Sequence, residues 1–150
     1  MMPISTRGRF ASRIVVFLAG QGSAKPVTKY EIAEGEAISA DYVQQIMMNL
    51  KVAGLVASHR GRTGGFLLAC DPETTSIADV LRAVEGRVAP APCYSVHECE
   101  RALTCPTRDV WMEAARLLDD LFQRSTIADL ARKGANRREL LAQAGSAIPG

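Results

Sequence analysis

The sequence predicts a mainly α-helical chain with one small β-hairpin, and three observations predict it. Apolar residues recur at helical spacing in four long stretches. The period shortens on both sides of a basic, glycine-rich turn. A twenty-residue segment without usable period, Arg87 to Pro106, holds three of the four cysteines. With 150 residues, 47% of them hydrophobic and 23% charged, the chain has material for one domain with an appended helix or tail. That composition excludes a multidomain enzyme and a disordered chain, and it supplies a core without disulfides.

The elements follow in order. Between Arg9 and Gly20, Phe10, Ile14, Phe17 and Leu18 share one face, broadened by Val15 and Val16, so a largely buried helix is expected, ended by Gly20 and Gly22. After Pro26, Thr28 caps a short helix through Ile32 and Ala33, and Ser39 caps the next. From Ser39, Tyr42, Val43, Ile46, Met47 and Leu50 keep helical spacing, with Gly54 placed for a C-terminal cap. Leu55–Ser58 and Phe66–Ala69 read as strands around the tip His59-Arg60-Gly61-Arg62-Thr63-Gly64-Gly65. Ser76 with Asp79 opens a further helix along Ile77, Val80, Leu81 and Val84, closed by Gly86. A long helix resumes at Thr107, where Val110, Trp111, Ala114, Leu117, Leu118, Leu121 and Phe122 form a stripe. A short helix starts at Thr126, and Arg132, Lys133, Arg137 and Arg138 mark a flexible basic tail over 132–150. The echo of Ser76-Ile77-Ala78-Asp79 in Thr126-Ile127-Ala128-Asp129 reads as two similar helix caps rather than a repeat.

Charge is unevenly spread. Residues 1–65 carry eight Lys and Arg against four Asp and Glu, whereas 66–150 carry ten against twelve, so the basic half suits an anionic partner. The apolar run Ile14 to Ala19 is too short for a membrane span or a signal-peptide core, which makes the cytoplasm the expected location. In such a chain, cysteines read as metal ligands or redox thiols rather than cross-links.

Three helices followed by a hairpin is the order of a winged helix-turn-helix, whose last helix enters the DNA major groove while the hairpin tip reaches the neighbouring backbone or minor groove. The recognition helix is then Ser39 to Asn49, offering Ser39, Asp41, Tyr42, Gln44 and Gln45, with no arginine to read guanine. The wing adds His59, Arg60 and Arg62, and its glycines permit close backbone approach. An ordinary solvated hairpin turn is the plain alternative.

Cys93, Cys99 and Cys105 are each separated by five residues and bracketed by prolines. Equal spacing in a loop lets three thiolates converge on an iron-sulfur cluster; a zinc site with His97, or thiols that oxidise or stay inert, are the alternatives. Cys70 ends an apolar strand and reads as a small core residue.

At this point the chain resembles the bacterial winged-helix regulators that include the iron-sulfur cluster regulator, the nitric-oxide-sensing repressor and the rhizobial iron regulator. The resemblance spans about residues 3–131. It rests on Ile4-Ser5-Thr6-Arg7-Gly8-Arg9-Phe10, Ile38-Ser39 with Tyr42, Leu50 to Val56, the wing Arg60-Gly61 with Gly64-Gly65-Phe66, and the cysteine trio. It implies a homodimer joined through the helix Thr107 to Arg124, and it implies Cys93, Cys99 and Cys105 as ligands of a 2Fe-2S or 4Fe-4S cluster. Three departures stand out. Arg108 occupies the place of the cluster regulator's histidine ligand, and it stays protonated. Arg7-Gly8-Arg9 offers no carboxylate of the kind the nitric oxide sensor borrows from its partner. Gln44 and Ala37 replace a glutamate and a turn glycine. His97, Glu98, Glu100 and Asp109 are the remaining candidates for a fourth ligand.

The resulting expectation is a DNA-binding domain over 1–86, a cluster loop over 87–106, a dimerisation helix with a short docking helix over 107–131, and the tail. The function expected is a homodimeric, non-enzymatic regulator of operator DNA, a repressor in the first instance, that senses iron, nitric oxide or redox stress. A metal-free thiol-redox regulator and a small iron-sulfur electron carrier are the alternatives, along with a zinc-stabilised DNA-binding module that senses nothing.

Overall fold

A computed structural model describes residues 4–22, 25–61, 64–86, 91, 93 and 99–145. The chain order is α1 (Thr6–Gln21), α2 (Lys29–Glu36), α3 (Ala40–Val52), β1 (Val56–His59), β2 (Gly65–Leu68), α4 (Ile77–Glu85), α5 (Arg108–Gln123) and α6 (Ile127–Gly145). Among the described residues no helix is long and apolar enough to cross a membrane.

Local chemistry starts most of these helices. Thr28 and Glu31 form a reciprocal capping box on α2, as Ser76 and Asp79 do on α4, while the Ser39 hydroxyl accepts from the Tyr42 N–H at 3.2 Å on α3. Between α2 and α3 the chain turns at Ala37, held in the left-handed region at φ 55. A residue with a Cβ is strained there.

One core joins the elements. Ile14, Val15 and Leu18 of α1 meet Val43, Ile46, Met47 and Leu50 of α3, Val80 and Val84 of α4, and Ile127 at the start of α6. Two polar links reinforce it. Arg13 of α1 pairs with Glu36 at the end of α2, whose carboxyl is pushed up by burial and pulled back by that guanidinium. Ser5 donates its N–H and hydroxyl to Glu85 Oε1, at 3.0 and 2.6 Å, tying the start of α1 to the end of α4.

The hairpin pairs antiparallel in the register Val56 with Leu68 and His59 with Gly65, one residue off the strand limits expected from the sequence. Its second strand also bridges the segment before α2, with Val27 N–H to Phe66 O at 2.9 Å and the return bond at 2.8 Å. The two similar caps prove to be partners: Ser76 and Thr126 form an antiparallel bridge, and the residues that follow them, Ile77 and Ile127, are both buried.

One expectation needs correction. Helix α6 does not stop near residue 131 but runs to Gly145, through most of the stretch read as a flexible tail. The reason is composition: 135–143 is built of Ala, Asn, Arg, Glu, Leu and Gln without proline, and Arg132 anchors the helix to Glu73 while pairing with Asp129 within α6. The apolar stripe of α5 is not buried: α5 has no buried residue. Val110, Trp111, Leu117 and Leu121 remain 42–67% exposed.

Candidate nucleic-acid interface and cysteine loop

Helix α3 separates its residues cleanly. Val43, Ile46, Met47 and Leu50 are buried, and Asp41, Gln44, Gln45 and Met48 are exposed on the opposite side. Of the candidates read from the sequence, Asp41, Gln44 and Gln45 stand on that outer face. Ser39 is exposed at its start, its oxygen engaged as the cap. Tyr42 differs: its ring packs edge-on to Phe10 at 6.0 Å and lies half-buried against the core. Lys29 of α2 approaches Asp41 at 3.8 Å.

The wing carries His59 at the end of β1 and Arg60 beyond it, both exposed. Arg62 lies outside the described residues. Lys51 of α3 donates to the Ser58 hydroxyl of β1 at 2.7 Å, a link between helix and wing that sequence reading missed because neither residue is distinctive alone. The wing glycines serve the fold itself. A Cβ at Gly65 would lie 2.5 Å from the Val27 carbonyl oxygen, one at Gly64 would lie 2.7 Å from the His59 carbonyl oxygen, and Gly61 has φ 125.

Cys93, Cys99 and Cys105 are all free and half-buried, as is Cys70, whose side chain packs against the core as expected. Helix α5 holds part of the loop. The first residue of α5, Arg108, donates Nε–H to the Cys93 carbonyl at 3.2 Å and its backbone N–H to the Cys105 carbonyl at 3.3 Å. Cys99 accepts from the Ala102 N–H at 3.0 Å, and Ala102 is buried. The Cys105 thiol lies 3.3 Å from the Thr107 hydroxyl; that contact and the neighbouring N–H groups pull it below its ordinary value.

Among the described residues, no three His, Cys, Asp or Glu side chains stand together closely enough to hold a metal ion, so the three thiols do not meet around one point. The loop's donors fit an iron-sulfur cluster in chemistry, being three unbridged thiols that are not sealed in the interior. For a fourth ligand, Glu100 and Asp109 are exposed, and His97 and Glu98 lie outside the described residues.

The family model described as Rrf2, iron-dependent transcriptional regulator, matches residues 4–133. The chain belongs to the Rrf2 family. Over 132 residues it is 35% identical to the protein rrf2 of Nitratidesulfovibrio vulgaris, covering 87% of this chain and 88% of that one. It is 32% identical over 129 residues to the transcriptional regulator IscR of Vibrio vulnificus, covering 86% and 77%. Among solved structures it resembles CymR, the global cysteine regulator of B. subtilis, with a TM-score of 0.75, 30% identity and coverage of 89% and 98%. This Rrf2-family chain is therefore a DNA-binding transcription regulator of winged-helix fold and not an enzyme.

Proposed function

We propose that this Rrf2-family regulator is a homodimeric repressor that holds operator DNA with α3 and the wing, and that an iron-sulfur cluster on Cys93, Cys99 and Cys105 controls its affinity. The observation that carries this reading is the attachment of the cysteine loop to α5 through Arg108, on a helix whose apolar stripe is left exposed among the described residues. A second copy laying its own α5 on Val110, Trp111, Leu117 and Leu121 would cover it. Residues 1–86 then form the DNA-binding unit, 87–106 the sensing loop and α5 the dimer helix.

When bound, the cluster would supply a redox- and nitric-oxide-reactive centre with one iron open to exchange. The protein's own part is mechanical. Arg108 couples the Cys93 main chain to α5, Glu85 ties the end of α4 to Ser5, and the crossing of two α5 helices sets the spacing of the paired α3 helices. The wing contributes charge, so Arg60→Ala should weaken binding and lower its salt dependence.

The test is iron, zinc and acid-labile sulfide content per subunit, on protein purified without oxygen. Iron with sulfide supports the reading; zinc alone, or no metal, overturns it. A second reading is favoured by the likeness to a cysteine regulator and by three free thiols that do not meet around one point. In it, two thiols lose their two hydrogens to an oxidant and form a disulfide without metal. A reversible mass loss of two hydrogens in metal-free protein would support that alternative.

A further inference from the structure

We propose that the outer face of α3 reads an operator half-site through adenine and through the methyl group of thymine, and not through guanine. This rests on the assignment of α3 as the recognition helix. Asp41, Gln44, Gln45 and Met48 follow one another at offsets of three, four and seven residues, so they form a single stripe opposite the buried face. The stripe contains no arginine, lysine or histidine.

Guanine presents two acceptors in the major groove, N7 and O6, and reading it takes a paired donor such as arginine or lysine. Two lysines flank this face, and each has a partner. Lys51 is bonded to Ser58 of the wing strand, and Lys29 approaches Asp41. Asp41, whose side chain is 95% exposed, carries acceptors only, so it repels guanine O6 and N7 and accepts from an amino group on adenine or cytosine.

Gln44 and Gln45 are exposed, and among the described residues neither side chain makes a hydrogen bond. A carboxamide matches adenine's N6 donor and N7 acceptor together. Met48 is 60% exposed one turn further on, where its flexible, polarisable thioether can lie against an apolar group. The C5-methyl of thymine is the apolar group that the major groove displays.

The experiment is selection of duplexes from a randomised pool by the full-length, anaerobically purified protein, followed by base replacement in the selected duplex. Enrichment of adenine and thymine is expected. Deoxyuridine in place of thymidine, and 7-deazaadenine in place of adenine, should each weaken wild-type binding about tenfold at the sensitive positions. Met48→Ala should erase the uridine effect, and Gln44→Ala or Gln45→Ala the 7-deazaadenine effect. Enriched guanine with sensitivity to 7-deazaguanine, or indifference to both replacements, overturns the inference while leaving α3 as the recognition helix. Binding without any sequence enrichment overturns that assignment and the inference with it.

Discussion

Arg108 and Cys93 stand fifteen residues apart in sequence and 3.2 Å apart in space, guanidinium Nε–H to backbone carbonyl. The bond joins a described part of the cysteine loop to a helix without a buried residue. Removing it should change communication more than stability. Arg108→Ala is expected to shift the melting temperature only slightly while reducing the ratio of DNA affinities between cluster-loaded and cluster-free protein about fivefold, corresponding to a lost hydrogen bond of about 1 kcal/mol. Titration of both forms checks this; an unchanged ratio would remove Arg108 from the coupling.

Ala37 is a non-glycine residue in the left-handed region at φ 55, in the turn of the DNA-binding helix pair. Ala37→Gly relieves that strain at some cost in unfolded-state entropy, for a net gain of about 0.5–1 kcal/mol and a melting temperature about 2 °C higher. Thermal and urea denaturation would measure it; a loss of stability would mean that the turn is not strained.

The wing and α6 make opposite demands on glycine. Gly65→Ala pushes a methyl group against the Val27 carbonyl, which belongs to the backbone and cannot swing aside, so a loss of about 2 kcal/mol or more is expected along with the Val27–Phe66 bridge. Gly134 has open space around its missing Cβ inside a helix, and Gly134→Ala should stabilise by about 0.5–1 kcal/mol. Parallel urea titrations of the two variants test the contrast.

Asp79 supplies a pH signature. Burial pushes its carboxyl up, but the Ser76 N–H and hydroxyl and the Arg82 guanidinium outweigh that and hold it below its ordinary value. The folded state therefore binds this proton more weakly than the unfolded chain. The cap's contribution is present above the unfolded value of about 3.9 and is lost as pH falls through the folded one. Asp79→Asn should cost about 1 kcal/mol at pH 7, and the gap to wild type should close below about pH 4. A gap that stays constant with pH would contradict the ionised capping box.

How far these features could be read in advance depended on their range along the chain. Thr28, Ser39 and Ser76 with Asp79 were legible because a cap needs only residues three apart. The outer face of α3 was legible because Val43, Ile46, Met47 and Leu50 mark the inner one. Long-range links were not: Ser5 with Glu85, Arg13 with Glu36 and Lys51 with Ser58 leave no periodic trace. The continuation of α6 was missed because an exposed helix lacks the apolar stripe that announces a buried one. The echo of Ser76–Asp79 in Thr126–Asp129 was visible as two caps, whereas their pairing depends on how the fold brings α4 and α6 together. Wing glycines read as room for DNA also make room for Val27 and His59 backbone.

In the proposed function, the state of the cysteine loop sets DNA affinity. Its most direct test compares the affinity for one selected duplex of anaerobically purified protein carrying iron and sulfide with that of the same protein after their removal, at one salt concentration. Affinities differing about tenfold or more are expected, with the difference abolished when Cys93, Cys99 and Cys105 are all replaced by alanine. Equal affinities in the two wild-type forms would contradict it.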